Sequence, residues 1–264
     1  MSFQILSAIA GISLCSLSHV AISADLTPLT TPDTQRLETE SGWTVTITPY
    51  FWGAGLRGDL GVINLPTVQT DASFGDIWNH LDFAVMAMGE ARNGPYSVFA
   101  DAIYIDLSGN AATPRGLLAD EASIDSKTFA GLLGAGYTVL ADEHGYLDIV
   151  GGVRIWSAET TIRLSGGVLD GREASDGATW VDAMAGVRGV YELTPNIFLT
   201  AWGLVGAGAA NLDWDVAASI GYKFTDRISS TIGYRALGVD YDNGDGFKFD
   251  VVEHGPMVGL SIKF

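Results

Sequence analysis

Cysteine is almost absent from the 264-residue chain. Its single copy, Cys15, excludes a disulfide framework and any multi-thiolate metal site. Basic residues are also scarce, with 14 lysines and arginines against 31 aspartates and glutamates and a formal charge of -17. A chain this acidic repels nucleic acid, so no nucleic-acid partner is expected. Beyond the N-terminal stretch, whose apolar run is shorter than a retained anchor would need, no run approaches the roughly 18–20 apolar residues of a membrane-spanning helix. The four histidines, His19, His80, His144 and His254, show neither ligand spacing nor an H-E-x-x-H pattern. G-x-S-x-G and cofactor-binding fingerprints are missing too, so no metal, no cofactor and no catalytic residue is assigned. Disorder is excluded by the opposite kind of evidence: 47% of residues are hydrophobic and mean hydropathy is +0.24. That apolar surface needs either a core or lipid.

The first stretch, "MSFQILSAIAGISLCSLSHVAISA", has an apolar centre and ends in small residues. It reads as a secretory signal over 1–24, although its amino end carries no Lys or Arg. Residues 25–41 are polar and Thr/Pro-rich, a flexible periplasmic N-terminal segment. From 42 to 264 the pattern changes to period-two alternation, as in "GWTVTITPYFWG", the mark of β-strands. Ten stretches are predicted, at about 42–54, 81–92, 95–108, 122–140, 145–162, 179–193, 196–208, 212–224, 227–241 and 247–264. Many suit the ~9–11 residues with which a tilted strand crosses a bilayer. Short turns ("NGP", "ADEHG", "TPN", "TDR") alternate with mostly longer loops, the longest at 55–80. This arrangement predicts an all-β, single antiparallel up-and-down transmembrane barrel of about ten strands, with eight or twelve as the adjacent even counts. A soluble lipocalin-like barrel is the competing architecture. Aromatic residues near strand ends, among them Tyr146, Tyr191, Phe198, Tyr222 and Phe224, favour lipid, as does the terminal apolar strand "MVGLSIKF".

Strand parity turns Glu90, Asp101, Asp148, Arg154, Asp182, Arg188, Arg235 and Glu253 toward the lumen. In a narrow barrel such groups pair as buried salt bridges. The competing reading is an ion-selective pore lining. "DASFGDIWNHL" predicts a short helix with Phe74, Ile77 and Trp78 at helical spacing, either a lumen plug or a rim helix. Asp213 and Asp215 read with the other loop acids as part of a solvated rim. "DYDNGDGF" fails the EF-hand pattern and reads as a hairpin turn. The alternation breaks at Glu253–Pro256, which predicts a β-bulge turning Lys248 and Asp250 inward.

"TPYFWGAGLRGDLGV", "DASFGDIWNHLDF", "GEARNGPYSVFADAIYIDLS" and the closing strand resemble a family of largely uncharacterised Gram-negative outer-membrane β-barrel, porin-like proteins. The resemblance implies an integral location in the bacterial outer membrane, and it carries no catalytic residues. Phe264 resembles the terminal aromatic residue of an assembly signal, so the expected partners are outer-membrane lipids and the barrel-insertion machinery. Oligomeric state is left open. The functional expectation is a non-enzymatic structural or surface-interaction protein with a largely filled, charged lumen. A narrow porin-like channel for small solutes or cations is the alternative, and a lipid-directed enzyme the least favoured.

Overall fold

The computed structural model describes residues 42–61, 68–112, 121–167 and 170–264. The signal expected at 1–24 and the segment 25–41 lie outside these residues. Among the described residues, twelve strands and one helix follow in chain order: β1 (Thr44–Trp52), β2 (Gly55–Gly61), β3 (Val68–Ala72), α1 (Phe74–Asn79), β4 (Leu81–Asn93), β5 (Tyr96–Ala112), β6 (Glu121–Ala141), β7 (Gly145–Ser165), β8 (Glu173–Glu192), β9 (Ile197–Gly208), β10 (Leu212–Lys223), β11 (Ile228–Asp242) and β12 (Lys248–Lys263). β1 and then β4 through β12 pair each with the next, and β12 returns to β1, so ten strands close an antiparallel barrel. Closure removes the free edges that hydrocarbon cannot hydrate.

The two remaining strands occupy part of what reads in sequence as the longest loop. β2 runs on from β1 along the outer half of β12, from Gly55↔His254 to Gly61↔Lys248, and β3 folds back on β2. The changeover falls at Gly53–Ala54, opposite Gly255–Pro256. Gly53 still donates its N–H to the Pro256 carbonyl at 2.8 Å. Pro256 has no N–H to return, and its strand position coincides with this break in the ladder.

The expected bulge at Glu253–Pro256 is not there. β12 pairs with β11 in continuous register from Lys248↔Asp242 to Ile262↔Ile228. Phe249, Val251, Glu253 and Met257 face inward throughout, so Lys248 and Asp250 stay on the outer face. Lys248 is satisfied there by Asp250 at 3.2 Å. An inward turn is required only if the whole outer face is lipid-covered.

Strand lengths explain why charge is tolerated outside. β6, β7 and β8 run 21, 21 and 20 residues, while β9 and β10 need only 12 each. The surplus extends toward the longer loops. There the outer face is polar, with Arg163 bridging Glu173 and Asp125 and Lys127 near Asp106. At the other end the turns are tight. Gly94 takes φ 54° between β4 and β5, a left-handed value that suits glycine. Asp142 accepts the His144 and Gly145 N–H groups at 2.8 Å, which holds its carboxyl below the usual range.

Solvent exposure is inverted relative to a soluble barrel. Leu133, Ile149, Val205 and Ile232 are each more than half exposed on the outer face, while Asp148, Arg154, Asp182 and Arg235 are at most 1% exposed inside. Apolar residues outside and charges inside suit a protein whose surrounding solvent is hydrocarbon. Aromatic residues frame the outer band. Tyr96, Tyr137, Tyr191 and Tyr222 stand near the short turns, and Phe51, Phe83 and Phe129 toward the other end. Tyr146 and Phe198, expected among these outer aromatics, point into the lumen instead.

Candidate functional site in the barrel interior

Every one of the eight charged residues expected in the lumen is found on the inward face, and most meet a partner across the barrel. Arg235, from β11, is at the centre. Its Nη2 donates to Asp101 on β5 at 2.6 Å and to Asp215 on β10 at 2.7 Å. Nε reaches Asp215 at 3.1 Å, and Nη1 donates to the Tyr50 hydroxyl at 2.9 Å. Tyr50 in turn donates to Asp101 at 2.8 Å. Arg154, from β7, donates to Asp213 and Asp215 at 2.6 Å each. Trp156 and Trp202 supply their indole N–H groups to Asp213 and Asp215, both at 2.9 Å. The result is a continuous belt, Asp101–Arg235–Asp215–Arg154–Asp213, with its polar atoms matched in place of water. Such matching is what makes buried charge tolerable.

Asp213 and Asp215 correct the solvated-rim expectation, since both are fully buried on β10. Asp182 and Glu253 share the interior but join none of these ion pairs. Asp182 instead accepts the Ala210 backbone N–H at 2.8 Å.

On the long-loop side of the belt, aromatic rings fill the lumen. Trp180 stacks on Tyr241 with centroids 4.1 Å apart and planes within 4°, and Trp156 lies parallel to Trp180 at 5.9 Å. Phe249 packs against both tryptophans. Ile103, Leu237, Val239, Val251 and Met257 complete this core. Sequence reasoning missed the layer although its signal was available: Trp156 has the parity of Arg154, and Trp180 that of Asp182.

On the short-turn side the lumen opens into a vestibule of about 890 Å³. A second ion network lines it. Arg92 holds Glu90 at 2.9 Å and also binds Asp148, which accepts a hydrogen bond from Thr138 at 2.7 Å. Arg188 holds the other Glu90 oxygen at 2.7 Å. The two guanidiniums lie over aromatic rings, Arg92 over Tyr146 at 4.0 Å and Arg188 over Phe99 at 4.5 Å. Nearer the turns, Lys223 pairs with Glu192 at 2.6 Å.

The predicted helix forms but does not enter the lumen. Ser73 caps it, and its hydroxyl and N–H hold Asp76 below the usual carboxylate range. Phe74 and Trp78 pack on outward-facing Phe51, each 5.8 Å from its ring. No residue of α1 is buried. Ile77 is half-buried, and α1 sits on the outer surface beside the β1–β2 changeover. "DYDNGDGF" is a hairpin connection, with Asn243 Oδ1 accepting the Asp245 and Phe247 N–H groups. At the opposite end, Phe264 exchanges backbone hydrogen bonds with Val45 and leaves its ring 71% exposed.

No protein-family model and no curated protein matches the sequence. Comparison with solved structures does find relatives in shape. The chain is similar to the outer-membrane protease OmpT from Escherichia coli, with 12% identity and a TM-score of 0.50 over 85% of this chain and 97% of that one. It is also similar to the translocator domain of the autotransporter NalP from Neisseria meningitidis, with 15% identity and a TM-score of 0.44 over 88% and 92% of the two chains. At 12% identity the likeness to OmpT is one of fold alone. Together with the inverted surface, that fold makes this chain an integral β-barrel of the Gram-negative outer-membrane type.

Proposed function

We infer that this barrel is a non-conducting, non-enzymatic outer-membrane protein with a structural or surface-interaction role. The observation that carries the reading is the closure of the lumen at two successive levels. A pore lined by rings of charge keeps those charges facing water. Here Arg154, Arg235, Asp213 and Asp215 neutralise one another at no more than 1% exposure, and the tryptophan stack lies beyond them. The same matching weighs against catalysis. Asp213 and Asp215 are held by Arg and indole N–H donors and fully buried, and Asp101 at the vestibule end is held by Arg235 and Tyr50, whereas a general acid or base needs free access to a substrate proton. The outward aromatic residues fit contact with lipid headgroups. Exposed Phe264, backbone-paired beside the short turns, fits a recognition element for the insertion machinery.

The vestibule supports the second reading, a narrow channel whose outer half is shut in this conformation. Planar-bilayer recording decides between the two. The wild-type protein is expected to be silent at low and high voltage. Reproducible conductance steps would establish the channel.

A further inference from the structure

The vestibule has the attributes of a ligand site. Its volume of about 890 Å³ lies within the ~300–1,000 Å³ range of small-molecule pockets. It is entered between the short turns and ends on the buried belt. Its charge is unlike that of the rest of the protein. Six cations and six acids form its wall, with Asp148 buried behind Arg92, in a chain whose formal charge is -17. An anion repelled by the general surface meets far more nearly balanced charge here.

Arg188 then distinguishes itself from the other lumen arginines. The donors of Arg235 and Arg92 are taken by belt or wall carboxylates and hydroxyls. Arg188 gives Nη2 to Glu90 and lies over the Phe99 ring at 4.5 Å, but its Nη1 is buried with no acceptor. The guanidinium lies over the ring, its side chain is 25% exposed on the vestibule wall, and one nitrogen lacks a protein acceptor, so a small rotation gives a carboxylate a charged donor. Phe198, with Lys223 5.9 Å from its ring, supplies a further apolar surface in the same cavity, and Thr48 adds a hydroxyl.

We propose that the vestibule binds a small aromatic or otherwise apolar carboxylate entering from the short-turn side, with the carboxylate on Arg188 and the body against Phe99 and Phe198. The site is independent of whether the barrel conducts, so bilayer recordings and binding measurements fail separately.

Isothermal titration of the full chain folded in detergent, with sodium benzoate as the probe and benzamide as its neutral isostere, tests the site. Benzoate is expected to bind saturably and at least about tenfold more tightly than benzamide, a gap that a lost charge-assisted hydrogen bond accounts for. Arg188→Gln should weaken benzoate about tenfold or more and leave benzamide little changed, with the heat-dependent gel mobility of the folded barrel retained. Should Arg188→Gln not fold, Arg188→Lys keeps the charge beside Glu90 but removes the second nitrogen, and the same loss is expected. Equal affinity for benzoate and benzamide, saturable binding of neither, or undiminished benzoate binding by a folded Arg188 variant would each overturn the proposal.

Discussion

Replacing Arg235 with methionine probes the belt where it is most heavily connected. Methionine has similar length and no donors, so the substitution removes four hydrogen bonds at 2.6–3.1 Å while filling most of the volume. The consequences for the two aspartates differ. Asp215 keeps Arg154 at 2.6 Å and the Trp202 indole at 2.9 Å, so it stays neutralised. Asp101 keeps only the Tyr50 hydroxyl at 2.8 Å and loses its cation. Breaking a buried pair from one side typically costs about 3–5 kcal/mol, because a charge is stranded in low dielectric. That is about a hundred- to several-thousand-fold in the folding equilibrium. Adding Asp101→Asn removes the stranded charge and preserves the Tyr50 contact, so the double variant should recover at least about half of the loss. The assay is reversible urea unfolding in phospholipid vesicles, followed by tryptophan fluorescence and gel mobility. A loss below about 1 kcal/mol, the scale of an exposed ion pair, would refute a sealed belt, as would the absence of any rescue by Asp101→Asn.

Trp180 makes a different kind of contribution, since its indole N–H has no acceptor and only its packing is at stake. Trp180→Ala should cost about 3–5 kcal/mol and Trp180→Phe much less, both read from the same unfolding curves. The cap of α1 depends on pH with a definite sign. Asp76 is held below the usual carboxylate range by Ser73, so its contribution is fully present above that range and is lost as pH falls through the lowered value. Trp78 fluorescence should report this loosening, and Ser73→Ala should move the change toward ordinary carboxylate pH. Phe264→Ala should leave unfolding nearly unchanged, because the ring is 71% exposed, while slowing assembly by purified insertion machinery. Equal assembly rates would remove Phe264 from that role.

The barrel was legible in the sequence because each strand writes its two faces as a period of two. The same parity turned Asp182, Arg188 and Arg235 inward without any tertiary information. What parity does not contain is which inward group meets which. Asp101 and Arg235 are 134 residues apart, and Arg154 and Asp215 are 61. Their meeting depends on how strands stagger around the closed ring. Asp213 and Asp215 share the polar face of the strand expected at 212–224, and were misread because they sit at its loop end, where acids are usually solvated. The β2–β3 hairpin was hidden by its setting, since "GLRGDLG" has too many glycines to announce a strand and is held by pairing with β12. The supposed bulge at Glu253–Pro256 came from treating the outer face as apolar over its full height. The barrel rises beyond the lipid, and Lys248 and Asp250 belong to that wetted part.

Among the described residues, the lumen is packed toward the long loops and open toward the short turns. The scarcity of cysteine makes this directly measurable. In a Cys15→Ser background, single cysteines are introduced at Thr48, in the vestibule, and at Ala158, in the aromatic core. A membrane-impermeant thiol reagent is then applied from each side of oriented vesicles. Thr48→Cys should react from the short-turn side alone, and Ala158→Cys from neither side until the protein is denatured. Labelling of Ala158→Cys in the folded barrel, or of Thr48→Cys from both sides, would contradict the closure.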